Sequence, residues 1–395
     1  MKVLKTLVAG LLAGSAMCAA NAQTVIHMTG STAFRNATVT AITNILQPGF
    51  TFAYTGASFT GANQHIFTGS TITGNIPVII KTSWSGAVGG QQTVSQQLPI
   101  STWLTNSTPQ SPGGTANSPA NFDPPAVPEV AMDDGIQATS PFPTPVLTAT
   151  SVGVVAFKWV RNVGSPASLT NMTPFLAQAL WKNGSLPLAL FTGLASDETN
   201  TVYAIGRDPD SGTRKTAFAE SGIGVFNTVL QYAPTNAAGI IVDRTGPGAG
   251  PIVGQKPWPP ITVNGIFFDT GNGGYASGGD VAQALKTAHP AFNVIYISYL
   301  GISDAASAIS GGAVEMTWNS VPFSDNAVRE GQYTFWAYEQ LSYRSDYGTV
   351  NANGKTVADQ LAARITAVEA ALAGELLSTM HAERSVEGGV VTPNY

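Results

Sequence analysis

Cysteine, histidine and charge are all scarce in this sequence. Its 395 residues hold one cysteine and four histidines, and charged side chains make up 10% of the whole. A single thiol, Cys18, has no partner for an intrachain disulfide. His27, His65, His289 and His381 are scattered, with no His-Glu-x-x-His or Cys/His spacing to gather a metal, and each reads as a surface or turn residue. There is no Gly-x-Ser-x-Gly turn for a nucleophilic serine and no Gly-x-x-x-x-Gly-Lys loop for a nucleotide. Lys and Arg total 18 against 23 Asp and Glu and nowhere cluster, which argues against nucleic acid as a partner. No feature points to a metal, a cofactor or an activated nucleophile, so the chain reads as a binding protein rather than an enzyme.

An apolar fraction of 44% is that of a globular protein, and 395 residues exceed one ordinary core, which points to two lobes. Neutral hydrogen-bonding residues stand where charge would be, as suits an extracytoplasmic protein. Residues 1–22 read as a cleavable signal: Lys2 and Lys5, an apolar stretch from Leu7 to Ala16, then Ala20-Asn21-Ala22 before Gln23. The stretch is short of the roughly 20 residues that span a membrane. Ser15-Ala16-Met17 lacks the leucine of a lipoprotein site at Cys18. Cleavage after Ala22 would take the formal charge from −5 to −7 and remove the only thiol.

Strand and helix patterns alternate along the rest, implying an α/β architecture with mainly parallel sheets. Val25 to Met28, Ile76 to Ile80, residues 128–132, Val152 to Val160, Val202 to Ile205 and Val294 to Leu300 read as strands. Helical spacing appears over Ala33 to Leu46, Leu169 to Leu180 and Asp280 to Lys286. It appears again in a long amphipathic run through Val357, Leu361, Ile365, Val368, Leu372 and Leu376. Ser107 to Pro128 reads as a mobile Pro/Ser/Gly-rich insertion, and Thr245 to Pro260 as a surface loop.

Four loops follow expected strands and carry small hydroxyl, acidic or guanidinium groups: Gly30-Ser31-Thr32, Ser85-Gly86, Asp133-Asp134, and Arg207 with Ser211-Gly212-Thr213. Arginine offers paired donors to a tetrahedral oxyanion, and a helix start offers free backbone N–H groups. Ligands of α/β folds gather beyond the carboxyl ends of strands, so these loops can converge on one anion. Taken singly, each Gly-Ser-Thr or Ser-Gly-Thr is an ordinary helix cap.

In order and residue type the loops resemble the phosphate-binding component of bacterial high-affinity phosphate ABC importers, a type II periplasmic-binding-protein fold. Gly30-Ser31-Thr32-Ala33 is similar to the family's first phosphate loop, and Ser85-Gly86 to its Ser-Gly loop. Arg207, Ser211, Gly212 and Thr213 reproduce its Arg-x-x-x-Ser-Gly-Thr motif. Gly331 to Trp336 resembles its Gly-x-Tyr-Pro-x-Trp segment, with Thr334 for the proline. The Ser85 loop, continuing Ala87-Val88-Gly89-Gly90, looks widened relative to the family's Ser-Gly-Gly.

The resemblance implies a two-lobed Venus-flytrap α/β fold, each lobe a mixed, mainly parallel sheet flanked by helices. Lobe I would take 23–149 and 318–395, with the insertion at 107–128, and lobe II 150–317. It further implies an interlobe ligand set of Ser31, Thr32, Ala33, Ser85, Gly86, Asp134, Arg207, Ser211, Gly212 and Thr213. Asp133 competes with Asp134 for the acid's role. The ligand would be inorganic phosphate, held by a monomer in the periplasm and handed to an ABC permease, with no cofactor. Phosphate keeps a proton that a buried carboxylate can accept, whereas sulfate has none to give. The competing expectation is a divergent surface protein of the same fold that holds another oxyanion or is structural or adhesive.

Overall fold

A computed structural model describes residues 23–244, 248–263, 265–287 and 294–394. The expected signal segment and His289 lie outside these residues. Strands β1 (Thr24–Gly30), β2 (Thr51–Thr55), β3 (Gln64–Ser70), β4 (Pro77–Ser83), β5 (Thr115–Asn117) and β6 (Val130–Asp134) form one half of a continuous mixed sheet. β7 (Leu147–Arg161) leads into the other half, where β8 (Asn171–Met172), β9 (Ser185–Pro187) and β10 (Thr201–Ala204) follow. β11 (Tyr232–Thr235) with β12 (Gly254–Pro257), and β13 (Ile261–Val263) with β14 (Ile266–Phe268), make two small ribbons. β15 (Val294–Gly301), β16 (Val314–Trp318) and β17 (Trp336–Arg344) complete the main sheet.

The pairings decide where the loops go. β1 lies parallel between β4 and β6, so the loops leaving those three strands emerge at one edge. In the other half β10 and β15 are parallel. β7 joins the halves: residues 147–156 pair antiparallel with β17, and residues 157–161 with β15. Because β17 is also antiparallel to β6, the carboxyl ends of β1, β4 and β6 point toward those of β10 and β15. Parallel pairing is thus found at the strands that deliver the expected loops, while the strands joining the halves pair antiparallel.

Among the described residues seven helices of nine residues or more flank the sheet: α1 (Arg35–Ile45), α2 (Ala87–Ser95), α3 (Pro174–Asn183), α4 (Gly212–Glu220), α5 (Gly278–Lys286), α6 (Ile302–Ser310) and α7 (Ala352–Ala367), beside shorter ones. The largest core cluster runs through both halves, with Trp159 packed on Trp181, Trp318, Phe335 and Tyr299. Tyr333, Phe335 and Trp336, from the segment expected to re-enter the first half, are fully buried in it.

Several local expectations are corrected. The helix expected over 169–180 starts at Pro174, where Thr173 caps it and accepts from the Leu176 N–H; Met172 belongs to β8. The long C-terminal helix stops at Ala367, and Val368 and Leu372, apolar by period, are about half exposed. Beyond the break, Gly374 passes so close to β7 that a Cβ there would lie 1.9 Å from the Val154 carbonyl oxygen.

The 107–128 segment adds edge strand β5 and sets Asp123 against the Lys81 ammonium. The stretch 245–260 holds β12. His65 is not a surface residue: it is fully buried on β3 and hydrogen-bonds the Thr82 hydroxyl (2.8 Å) and the Phe59 carbonyl (2.7 Å), and burial pushes its pKa down to about 4.

Candidate functional site

The site is assembled from backbone outward. Gly30 takes φ 112°, and a Cβ there would fall 2.0 Å from the Met132 carbonyl oxygen, so only glycine lets β1 end against β6. The chain then turns: Ser31 N–H donates to Met132 (2.6 Å), and the Ser31 hydroxyl accepts from Phe34 N–H (3.2 Å). After β4, Gly86 at φ 114° donates to the Gly30 carbonyl (2.9 Å), and the Ser85 and Thr29 hydroxyls meet at 3.1 Å. The turn at Ser85-Gly86 is short. Ala87 to Ser95 is already helix, fully buried, and Gly89 and Gly90 form its first turns, where a Cβ on residue 90 would stand 2.8 Å from Gly30 Cα.

From the opposite half, β10 delivers Arg207 and then α4. The Arg207 guanidinium is pinned by donating through Nε to the Tyr275 carbonyl (3.1 Å) and through Nη2 to that of Ala276 (2.8 Å). Ser211 caps α4 by accepting from Arg214 N–H (3.2 Å). The halves meet directly here. Val88 N–H donates to the Asp210 carbonyl (3.0 Å), so a residue of one half satisfies the first turn of a helix in the other. Asp134 Oδ1 lies 2.0 Å from where a Cβ on Gly212 would be.

Ser31, Asp134 and Gly212 therefore converge, with Gly86 and Ser211 on either side of the Asp210 contact. Ser85 is exposed. Thr32 and Ala33 are partly buried and line an open cleft between the halves. Arg207 is near enough to act on the Asp134 charge. Thr213 is buried within the first turn of α4.

Sequence reasoning missed two charged neighbours. Glu339 on β17 stands opposite Asp134 in the ladder, fully buried, near the Ser31 hydroxyl but with neither carboxyl oxygen in a well-formed hydrogen bond among the described residues. Lys215, also buried, donates to the Ile136 carbonyl at 3.3 Å. A lone acid in a strand pattern beginning with the apolar Trp336-Ala337-Tyr338 was the available signal for Glu339.

Asp134 and Glu339 thus share one buried spot, and the Asp133 charge is close enough to act on both. Burial raises the pKa of Asp134, while Lys215, Arg207 and the Ser31 hydroxyl pull it back. Burial, then the charges of Asp134 and Asp133, hold Glu339 well above the carboxylate range. Asp133 is pushed up to about 7 by burial, against the Ser342 hydroxyl, which donates to its Oδ2. Asp134 is the acid that faces the opposite half, and Asp133 is bonded within its own.

No protein-family model and no curated protein matches this chain. Among solved structures the chain is similar to an ABC-type phosphate transport receptor from Vibrio cholerae, at 10% identity and TM-score 0.47, covering 89% of this chain and 99% of that one. It is likewise similar to PstS from Borrelia burgdorferi (13% identity, TM-score 0.41, 90% and 98% covered). A third is a phosphate-binding protein from Stenotrophomonas maltophilia (13%, 0.38, 88% and 94%). At such identities what this chain binds has to be read from its own residues.

Proposed function

We propose that this chain is an exported solute-binding protein that captures phosphate between two lobes, residues 23–149 with 318–395 and residues 150–317, for delivery to a membrane permease. One observation carries the reading: a buried carboxylate of one half, Asp134, sits at the capped start of α4 in the other, beside Arg207. Helix-start N–H groups and a guanidinium favour an anion, and the acid favours one that still carries a proton. The ligand set is the one expected from sequence: Ser31, Thr32, Ala33, Ser85, Gly86, Asp134, Arg207, Ser211, Gly212 and Thr213.

A ligand touching both halves stabilises their approach over their separation, which is the signal a permease can read. Micromolar binding needs roughly −8 kcal/mol, which about ten donors at roughly 1 kcal/mol each can supply before the cost of closure. The test is calorimetry on the mature chain with phosphate and then sulfate. Phosphate alone should bind, and sulfate binding of equal strength would remove the selective role of Asp134.

A second reading keeps the fold without the cargo. The direct Val88–Asp210 hydrogen bond, which joins the halves with no guest between those atoms, favours a surface protein of structural or adhesive role. Absence of binding to either anion would select it.

A further inference from the structure

The phosphate reading accounts for the inner wall of the interlobe cleft and leaves the outer part unused. That cleft encloses about 930 Å³, room for some thirty water molecules at roughly 30 Å³ each, far more than one tetrahedral oxyanion fills. It begins at Thr32 and Ala33, and an arginine stands on each wall: Arg35 from the start of α1, and Arg244 from the other half.

Both guanidinium groups are held in place yet keep donors to spare. Arg35 donates through Nε to the Thr60 carbonyl (3.2 Å) and through Nη1 to Asn63 Oδ1 (2.8 Å), leaving Nη2 without an acceptor among the described residues. Arg244 donates through Nε to Asp280 (2.9 Å) and through Nη2 to the Ser277 hydroxyl (2.9 Å), leaving Nη1 without an acceptor among the described residues. Asp280 is paired with Arg244, and Asp304, against the start of α5, lies within electrostatic reach of Arg35, Arg207 and Arg244. Burial lowers the Arg35 pKa to about 10, Asp304 pulls it back up, and Arg244 and Arg207 push it down again. The spare Nη groups on the two walls are donors that a single phosphate at the inner loops would not use.

We infer that the cleft takes a condensed phosphate, of which inorganic pyrophosphate is the smallest, with one phosphoryl group at the inner loops and the next between Arg35 and Arg244. This rests on the phosphate reading of the inner site. A guanidinium fork matches phosphoryl oxygens in pairs, whereas a neutral glycerol or sugar extension would leave both forks unanswered.

Calorimetry with orthophosphate, pyrophosphate and glycerol 3-phosphate on the mature chain tests it. Pyrophosphate should bind about tenfold more tightly than orthophosphate, as one well-made charged contact allows, and glycerol 3-phosphate no more tightly than orthophosphate. Arg244→Ala should erase the pyrophosphate advantage while leaving orthophosphate affinity within about twofold, and Arg244→Lys should keep part of it. Orthophosphate binding with no pyrophosphate advantage overturns this inference and leaves the proposed function standing. So does an advantage that survives Arg244→Ala. Binding of none of the three overturns both.

Discussion

Asp134 and Gly212 face each other across the halves so closely that the space beside Gly212 Cα is filled by the Asp134 carboxylate, 2.0 Å from where a Cβ would stand. The contact ties the end of β6 to the start of α4 and makes glycine a requirement at position 212. Gly212→Ala sets two effects against each other. Alanine favours a helix over glycine by up to about 1 kcal/mol, but its methyl must displace a buried, hydrogen-bonded acid, which costs more. The variant should melt lower than the parent and lose at least about tenfold in phosphate affinity by calorimetry. An unchanged affinity would place the anion elsewhere.

The two adjacent aspartates should separate cleanly. Asp134→Asn removes the acceptor that faces the other half, so phosphate affinity should fall about tenfold or more while sulfate begins to bind. Asp133→Asn, whose partner is Ser342 within the same half, should leave phosphate affinity within about twofold. Equal tolerance of both substitutions would refute the role given to Asp134.

Stability should fall as the solution becomes alkaline. Asp133 is raised to about 7, and Asp134 and Glu339 are raised with it, all chiefly by burial. A carboxyl whose folded pKa exceeds its unfolded value contributes fully below about pH 4, and that contribution is lost as pH climbs through the raised value. The ligand-free melting temperature should therefore drop by roughly 5 °C from pH 5 to pH 8. Asp133→Asn should flatten that slope and raise the melting temperature at pH 8. A melting temperature that stays flat or rises over the interval would show that folding does not raise the pKa of these acids.

Arg207 is expected to outrank every histidine. Its side chain satisfies the carbonyls of Tyr275 and Ala276 as well as facing the acid at the seam. Arg207→Ala should cost about 2 kcal/mol in chemical denaturation and abolish measurable phosphate binding. His27→Gln and His381→Gln should stay within about 0.5 kcal/mol of the parent.

The strand–loop–helix units at 24–45 and 201–220 were legible because each puts a short apolar run before a Gly or Ser turn that opens a helix. At 77–95 only the strand and the Ser85-Gly86 turn are legible, and the helix after them reads as loop. What no local pattern states is that β1 lies parallel between β4 and β6, and this is what brings their loops to one edge. Glu339 escaped notice for the same reason, since its meaning depends on standing opposite Asp134 in a ladder formed by residues some two hundred positions apart. The start of α3 was readable and missed: Leu169 and Met172 continued the period backward past the true cap at Thr173-Pro174. At the other end Val368 and Leu372 kept the period going where the backbone had already broken.

The two long strands shared by both halves carry a mechanical implication. Any swing of one half against the other has to be absorbed by β7 and β17, and their ladder slips register between Glu339 and Gln340. Flexure at that bulge would carry Glu339, which is fully enclosed, along with the strand and shift it against Asp134.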